Sequence, residues 1–437
     1  MNKINHYAEL YNQFINIFQE ITNLTNHVSI DKVSTQIQKK LMFLGQKSLE
    51  SIYVNEIGTG YTKPHIIHPD NNQTYSYHGL VPKTYISIFG PISIKRAYYY
   101  NKEKRNGIYP LEQNNYFLKD MCLPEVKELI CYTSALEPFG QAQNILKHLS
   151  GIEVSTFEIQ KTSKSIGDEL VKIEDELIHN PKQYKPSKKQ IDKMVISMDG
   201  AMINTKEGWK EVKSGVIYEY EKENDNFKTK HKTYISRIEK SDEFSKRLKQ
   251  EAGRRHYLDV NELIVIGDGA KWIWDLAEKE FPLAAQIVDW YHAKQHLYNI
   301  IDLLYENKKT NEAVSFTETC SDILYSGDID SLEEMIIQKR MENNIIEQMD
   351  DFIKLQTEMN YFKTNKNRMK YRYFREKGYP IGSGIIEAAC KQLVQLRLKR
   401  NGMKWKKSGA HSILQLRCQY LGNRWDDVKN IIWDKAA

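Results

Sequence analysis

Two short apolar runs, each ending at an Asp-Gly pair, constrain the fold of this chain most. The first is Met194-Val-Ile-Ser-Met, which stops at Asp199-Gly200, and the second is Leu263-Ile-Val-Ile-Gly, which stops at Asp268-Gly269. Apolar runs of this length that are bounded by turn residues are typical of buried strands. With helical patterns between them, they predict an α/β fold whose sheet carries an aspartate at the end of each of these strands.

The rest of the chain predicts further elements around this core. We expect strands at 212–220, 232–238 and 285–289, a helix at 242–251, and an almost wholly helical stretch at 291–361. Gly382-Ser-Gly precedes a helix that runs through Glu387 to about Arg400. The predicted parts are therefore a helical segment (1–58), a small β module (59–120), a helical segment (121–180), the first part of the core (193–292), a helical insertion (293–380) and a C-terminal part (381–437).

The N-terminal half shows two local signals. A hairpin is predicted around Gly90-Pro91, because β-rich runs stand on both sides of that turn. A helix ending at Ser150-Gly151 is followed by a second one near Ser155, where Glu158 completes a capping-box pattern. This outline fits a DNA-binding helix-turn-helix and an ordinary αα-hairpin about equally well.

Composition excludes several classes of protein. Hydrophobic residues make up 41% and charged residues 27% of 437 residues, which is a globular composition. No apolar run approaches the roughly 18 residues of a membrane-spanning helix, and no secretory signal pattern opens the chain. The five cysteines form no Cys-x-x-Cys pair. We therefore predict a cytoplasmic protein with free thiols.

Positive charge is concentrated near the C-terminus. The formal net charge is +6, yet residues 388–437 alone hold eleven Lys or Arg and three Asp. A basic segment on a nearly neutral body indicates either a polyanionic partner or a solvated surface.

The aspartates predict a metal site. Carboxylates at the ends of neighbouring strands can share a hard divalent cation such as Mg²⁺, which prefers oxygen ligands. Glu387 is the candidate third ligand, because the Gly-Ser-Gly turn before it lets its helix approach the sheet closely. The alternative is that each aspartate is only a turn or helix-capping residue.

Four sequence blocks resemble a known family. They are Gly267-Asp-Gly-Ala-Lys-Trp-Ile-Trp, Val288-Asp-Trp-Tyr-His-Ala-Lys-Gln-His-Leu, Pro380-Ile-Gly-Ser-Gly-Ile-Ile-Glu-Ala-Ala-Cys-Lys and Arg397-Leu-Lys-Arg-Asn-Gly-Met-Lys-Trp. In order and spacing they resemble the ISKra-type transposases of bacterial insertion sequences, which are DDE enzymes related to the Mutator-like group. The resemblance is sharp over about residues 193–426 and looser before them.

The resemblance implies an RNase H-like mixed sheet with a helical insertion before the third acid. It implies that Asp199, Asp268 and Glu387 are the catalytic acids, with Mg²⁺ or Mn²⁺ as cofactor. It also implies cleavage of double-stranded DNA at the terminal inverted repeats, followed by transfer of the 3′-hydroxyl into target DNA by a homodimer or larger assembly. The alternatives are a nuclease without strand transfer and a domesticated DNA-binding protein.

Other residues gain candidate roles from the same blocks. His292, in an Asp-x-x-His signature, is expected to contact the scissile phosphate or to orient an acid, and otherwise is structural. Trp290 is expected either to stack on an unpaired base or to belong to the core. A segment after Glu387 is expected to bind DNA phosphates, with a solvated helix face as the alternative; its residues are Lys391, Arg397, Lys399, Arg400, Lys404, Trp405, Lys406 and Lys407.

The chain departs from the family in one respect. Many members carry a cysteine-rich, zinc-ribbon-like module in the N-terminal part, whereas the β module here has no cysteine pair. How this chain would recognise its DNA ends is therefore left open by the sequence.

Overall fold

The computed structural model describes residues 3–23, 29–114, 118–182, 184, 191–223, 226–345 and 350–434. The chain is mixed α/β, with 58% helix and 21% strand, which confirms the predicted class at that level. It divides into unit 1, residues 1–169 with 425–437, and unit 2, residues 170–424. The last residues, grouped with the third acid in the sequence-based division, thus belong to unit 1. Among the described helices, none is long and apolar enough to span a membrane.

The elements are numbered in chain order. The strands are β1 (His65–Ile67), β2 (Thr74–Ser87), β3 (Gly90–Asn101), β4 (Asn106–Ile108), β5 (Ile191–Thr205), β6 (Gly208–Glu223), β7 (Asn226–Arg237), β8 (Val260–Gly267) and β9 (Ala285–Val288). The helices are α1 (Lys3–Thr22), α2 (Ile30–Ile52), α3 (Pro110–Asn114), α4 (Pro124–Leu136), α5 (Phe139–Ser150), α6 (Thr156–His179), α7 (Ser241–Arg254), α8 (Lys271–Glu280), α9 (Trp290–Leu304), α10 (Asn311–Ser326), α11 (Ile329–Glu342), α12 (Asp350–Asn365), α13 (Tyr371–Glu376), α14 (Gly384–Cys390), α15 (Leu396–Leu398), α16 (Lys407–Leu421) and α17 (Trp425–Asp434).

Unit 1 contains an antiparallel sheet in the order β1-β2-β3-β4. The hairpin predicted around Gly90-Pro91 is confirmed, since Ser87 of β2 pairs with Gly90 of β3. The predicted helix boundary at Ser150-Gly151 is confirmed as well, because Gly151 ends α5 with a φ of +69°. The next helix begins as predicted, with the Glu158 N–H donating to Ser155 Oγ at 3.1 Å.

Unit 2 is built on a mixed sheet in the order β7-β6-β5-β8-β9. β5, β6 and β7 are antiparallel neighbours, whereas β8 and β9 run parallel to β5. Residues such as Ile196 of β5 and Val265 of β8 are fully buried. Strands covered on both faces read as continuous apolar runs, which is why the sequence revealed these two so clearly.

One predicted strand boundary is wrong. β5 does not stop at Asp199 but continues to Thr205. Its parallel pairing with β8 ends at Ser197, whereas its antiparallel pairing with β6 extends to Thr205. The hairpin partner therefore keeps the chain extended beyond the aspartate.

The segment after β9 is helical, as predicted, through α9 to α13. The helix predicted through Glu387 to about Arg400 is confirmed, since the chain stays helical from Gly384 to Leu398. Within it, Lys391–Gln395 form a π-helical turn, and α15 ends at Leu398. The chain then turns back to β5, where the Trp405 N–H donates to Asn204 O at 3.1 Å and Trp405 O accepts from the Lys206 N–H at 2.8 Å.

Candidate active site

Asp199 and Asp268 lie on neighbouring strands at one edge of the unit 2 sheet. The last parallel pair between β5 and β8 is Ser197 with Ile266. Asp199 stands two residues further along β5, and Asp268 stands two residues beyond Ile266, directly after the end of β8. Neighbouring strands lie roughly 4.8 Å apart. The sheet thus brings these two carboxylates side by side, as the apolar runs predicted.

A tight loop fixes Asp268. Its Oδ1 accepts from the Ala270 N–H at 2.9 Å, and its backbone carbonyl accepts from the Tyr361 hydroxyl at 2.9 Å. Gly269 has a φ of +103°, and a Cβ at that position would lie 2.5 Å from the Tyr361 ring. Only glycine fits at this position of the turn. Because Tyr361 belongs to α12, the helical insertion holds the loop that carries Asp268.

Glu387 lies in the first turn of α14 with its side chain exposed. The turn before the helix is close to α9, since a Cβ on Gly382 would lie 3.2 Å from the Tyr291 ring. Ser383 Oγ donates to Glu387 Oε1 at 3.4 Å. This long bond leaves the carboxylate available for another partner.

Asp289 joins α9 to this turn, a role that the sequence did not assign to it. It is fully buried and caps α9, accepting from the His292 N–H at 2.7 Å. Its second oxygen accepts from the Ser383 N–H, and His292 Nδ1 lies 3.1 Å from Oδ1. The adjacent Trp290 N–H donates to Ile381 O at 2.8 Å. The start of α9 therefore positions the turn that carries Glu387.

Asp289 and His292 form a hydrogen-bonded pair. Burial alone would raise the pKa of Asp289, but hydrogen bonds from His292 and Ser383 outweigh it and hold the pKa below its usual range. The hydrogen bond to Asp289 raises the pKa of His292 against the effect of burial, and the charges of Asp268 and Glu387 raise it further. The surrounding acids thus favour the protonated form of the imidazole.

Burial raises the pKa of Asp199, and the negative charge of Asp268 adds to this shift. The Gly200 N–H donates to Asp199 Oδ1 at 2.6 Å and acts in the opposite direction. The Cys390 thiol of α14 also hydrogen-bonds to Asp199, and burial raises the pKa of that thiol. The charges of Asp268 and His292 thus act on Asp199, and those of Asp268 and Glu387 act on His292.

In the described part of the chain, one group of three side chains has the spacing of a metal site. Asp289, His292 and Glu387 each offer a ligand atom, and these atoms lie within 4.8 Å of one another. This group differs from the predicted set of Asp199, Asp268 and Glu387 and shares only Glu387 with it. Asp289 and His292 already hydrogen-bond to each other, whereas Glu387 is the exposed member of the group.

The basic segment after Glu387 divides into surface and buried residues. Lys391, Lys399, Lys404, Lys406 and Lys407 are exposed, as a DNA-binding surface requires, and Arg400 is half-buried. Arg397, in contrast, is only 1% exposed, and its guanidinium lies 5.3 Å from the centroid of the Trp405 ring. The predicted phosphate contact of Arg397 does not fit this burial, because it lies on the inner side of the helix.

Trp405 and Trp290 are both half-buried. The Trp405 Nε1–H donates to Leu398 O at 3.0 Å, which anchors the basic segment. Trp290 packs edge-on against Tyr325 and Tyr371, with ring centroids 5.5 and 4.8 Å apart. It also lines a cavity of about 540 Å³, together with Tyr218, Tyr220, Tyr291, Tyr325, Arg375 and the residues around Gly382.

Comparison with known families identifies the chain at the family level. The profile of the Uncharacterised protein family (UPF0236) matches residues 23–434. The chain belongs to this family. The match extends over residues of both units. Among curated proteins, no match is found.

Sequence reasoning missed two residues that shape the site. Asp289 was noted only as the first member of the Asp-x-x-His signature, although its place directly after an apolar run is the same signal that marked Asp199 and Asp268. Tyr361 gave no signal, because the contact from α12 to Asp268 spans 93 residues. Its role depends on how the insertion folds back onto the sheet.

Proposed function

We propose that this UPF0236 protein is the DNA transposase of a bacterial insertion sequence, with an RNase H-like catalytic core in unit 2. One observation carries the proposal: Asp199 and Asp268 follow neighbouring parallel strands, and the charges of Asp268 and Glu387, far apart in the sequence, both act on His292. A helical insertion separates the second and third acids, as the family resemblance implies. The four sequence blocks support the same assignment.

The acids have the chemistry of a divalent metal site. Carboxylate oxygens are the ligands that Mg²⁺ and Mn²⁺ prefer, and Asp199, Asp268 and Glu387 would hold these ions. Bound there, the metal would activate water or a 3′-hydroxyl and neutralise charge on the leaving oxygen. Burial and the negative charge of Asp268 together raise the pKa of Asp199 and so favour its protonated form. A bound cation would favour the ionised carboxylate and act against both effects.

His292 would hold the scissile phosphate. When protonated, its ring would provide a positive charge and an Nε2–H donor beside the acids, while Nδ1 lies 3.1 Å from Asp289 Oδ1. Asp289 is a positioning residue in this scheme, since it keeps the imidazole charged and fixes the turn before Glu387. No covalent intermediate is required, because both steps are in-line displacements at phosphorus.

Trp290 would contact an unpaired base next to the cleavage site. One side of its ring is packed against Tyr325 and Tyr371, and the cavity that it lines lies beside the turn before Glu387. Aromatic walls of this kind accept any base by stacking. This combines the two roles predicted for Trp290, because the ring is partly core and partly cavity wall.

The exposed lysines of the basic segment would contact the DNA backbone. Lys399 and Lys404 have no carboxylate partner among the described residues, so we expect Lys399→Gln with Lys404→Gln to weaken duplex binding. The slope of the logarithm of the binding constant against the logarithm of salt concentration should become less steep by about 2, because each phosphate contact contributes about 0.9 to that slope. Fluorescence anisotropy over a salt series measures this slope. Lys308→Gln with Lys309→Gln is the matched control in the insertion, and an equal slope for both double variants would contradict the assignment.

A cleavage assay tests the function directly. Purified protein is incubated with duplexes containing the DNA ends that flank its own gene, with Mg²⁺ or Mn²⁺ and labelled target DNA. We expect a metal-dependent cut that leaves a 3′-hydroxyl, followed by joined products. Cutting without joining would identify a nuclease instead. Specific binding without metal-dependent cutting would identify a DNA-binding protein, and both outcomes would overturn the transposase assignment.

A further inference from the structure

The β module of unit 1 carries aromatic and basic residues that the proposed chemistry does not use. Residues 59–109 contain eight tyrosines, and they contain seven Lys or Arg against two acidic residues. Aromatic rings interleaved with cations are typical of surfaces that bind nucleic acid. Tyr75, Tyr85 and Tyr99 are buried and belong to the cores of the module, so they do not contribute to such a surface.

Three other rings share one face of the sheet. Tyr98 and Tyr100 point to the same side of β3 because they are two residues apart, and their ring centroids lie 6.3 Å apart. A bulge between Tyr77 and Gly79 interrupts the β2 register at His78. The His78 ring lies 5.6 Å from the Tyr100 ring and 6.3 Å from the Tyr98 ring. His78 is exposed, and both tyrosines are half-buried.

These rings are supported from within the module. The Tyr98 ring lies over Gly107 of β4, where any Cβ would collide with it, and its centroid is 5.0 Å from that of Tyr109. The Arg96 guanidinium lies 3.9 Å from the Tyr109 ring centroid and pairs with Glu112. Packing against Gly107 and Tyr109 therefore holds the Tyr98 ring in place, while the rings of this face stay partly exposed.

Positive charge lies directly beside the rings. The turn between β3 and β4 follows Tyr100 and carries Lys102, Lys104 and Arg105, all exposed. None of these three cations has a salt bridge with a described carboxylate, and Glu103 is the single acid of the turn. Rings and cations in this order complement the bases and phosphates of a nucleic-acid strand.

We propose that this face, formed by His78, Tyr98, Tyr100, Lys102, Lys104 and Arg105, binds an unpaired segment of a DNA strand. Bases in a duplex are stacked on one another, so side-chain rings need unpaired bases as partners. The binding site lies outside the acids of unit 2 and does not depend on cleavage. The choice of DNA over RNA rests on the proposed function.

The test measures binding of a labelled single-stranded DNA oligonucleotide of mixed sequence to the full chain, by anisotropy and without divalent metal. Tyr98→Leu with Tyr100→Leu should lower affinity about ten-fold or more, given about 1–3 kcal/mol per stacked base. Lys102→Gln with Lys104→Gln should make the slope of the logarithm of affinity against the logarithm of salt concentration less steep by about 1.4, because each phosphate contact on a single strand contributes about 0.7 to it. His78→Ala, at an exposed position, tests the same face if the double tyrosine variant fails to fold.

Tyr77→Leu is the matched control. Tyr77 is 37% exposed and contacts Tyr61 and Tyr99 rather than Tyr98 or Tyr100. It should bind single-stranded DNA like the wild type. Equal losses in the control and the test variants, stronger binding of a duplex of the same sequence, or stronger binding of the corresponding RNA would each overturn the proposal. Because no metal is present, a protein that binds the single strand but never cuts DNA would contradict only the proposed function.

Discussion

Replacing Asp199 with Asn, Asp268 with Asn, or Glu387 with Gln is expected to reduce metal-dependent DNA cleavage by about a thousand-fold or more. Each change removes a negative charge and a ligand oxygen while keeping the size of the side chain. Duplex binding should remain within about two-fold of wild type, because phosphate contacts are assigned to the basic segment. Cleavage of a labelled DNA end under single-turnover conditions measures the effect.

Asp192→Asn is the control for these three variants. Asp192 lies on the same strand as Asp199, is exposed, and pairs with the neighbouring Lys193 at 2.8 Å. Its replacement should leave cleavage unchanged. If one of the three acid variants retains cleavage close to the wild-type rate, that residue does not belong to the catalytic set. An equal loss in Asp192→Asn would show that the assay responds to charge in general.

The second large effect is expected in a buried ionic cluster of unit 2. Glu174 Oε2 accepts from Arg237 Nε at 2.8 Å, from Gln415 Nε2 at 2.9 Å and from Arg247 Nη1 at 3.4 Å. Arg237 is only 1% exposed. Glu174→Ala should lower the free energy of unfolding by about 3 kcal/mol, because it leaves buried guanidinium groups with fewer counter-charges. Asp175, which also pairs with both arginines, keeps the loss from being larger.

Urea unfolding monitored by circular dichroism measures this loss. Glu176→Ala is the matched control, two residues away on α6. Among the described residues, Glu176 pairs only with exposed Lys172, at 3.8 Å, so its removal should change the free energy of unfolding by less than about 0.5 kcal/mol. Equal midpoints for Glu174→Ala and Glu176→Ala would show that the cluster contributes no more than a surface ion pair.

Prediction from the sequence succeeded where a local pattern decides the structure. The apolar runs before Asp199 and Asp268 form adjacent strands. The glycines at 90 and 151 mark a hairpin turn and a helix end because their conformations are open to few other residues. The predictions failed where a distant partner overrides the local pattern. β6 extends β5 past Asp199, because the antiparallel pairing of the two strands continues to Thr205.

The sequence by itself therefore determined the α/β class and the two buried strands that lead to Asp199 and Asp268. These follow from hydrophobic periodicity and turn chemistry, which act between near neighbours in the chain. Only the tertiary structure decided that Asp289 binds the turn before Glu387, that Tyr361 holds the Asp268 loop, and that Arg397 is buried under Trp405. Each of the first two contacts joins residues more than ninety positions apart, and Arg397 is buried because Trp405 is anchored to β5. Such pairings depend on how whole elements pack, which no local pattern encodes.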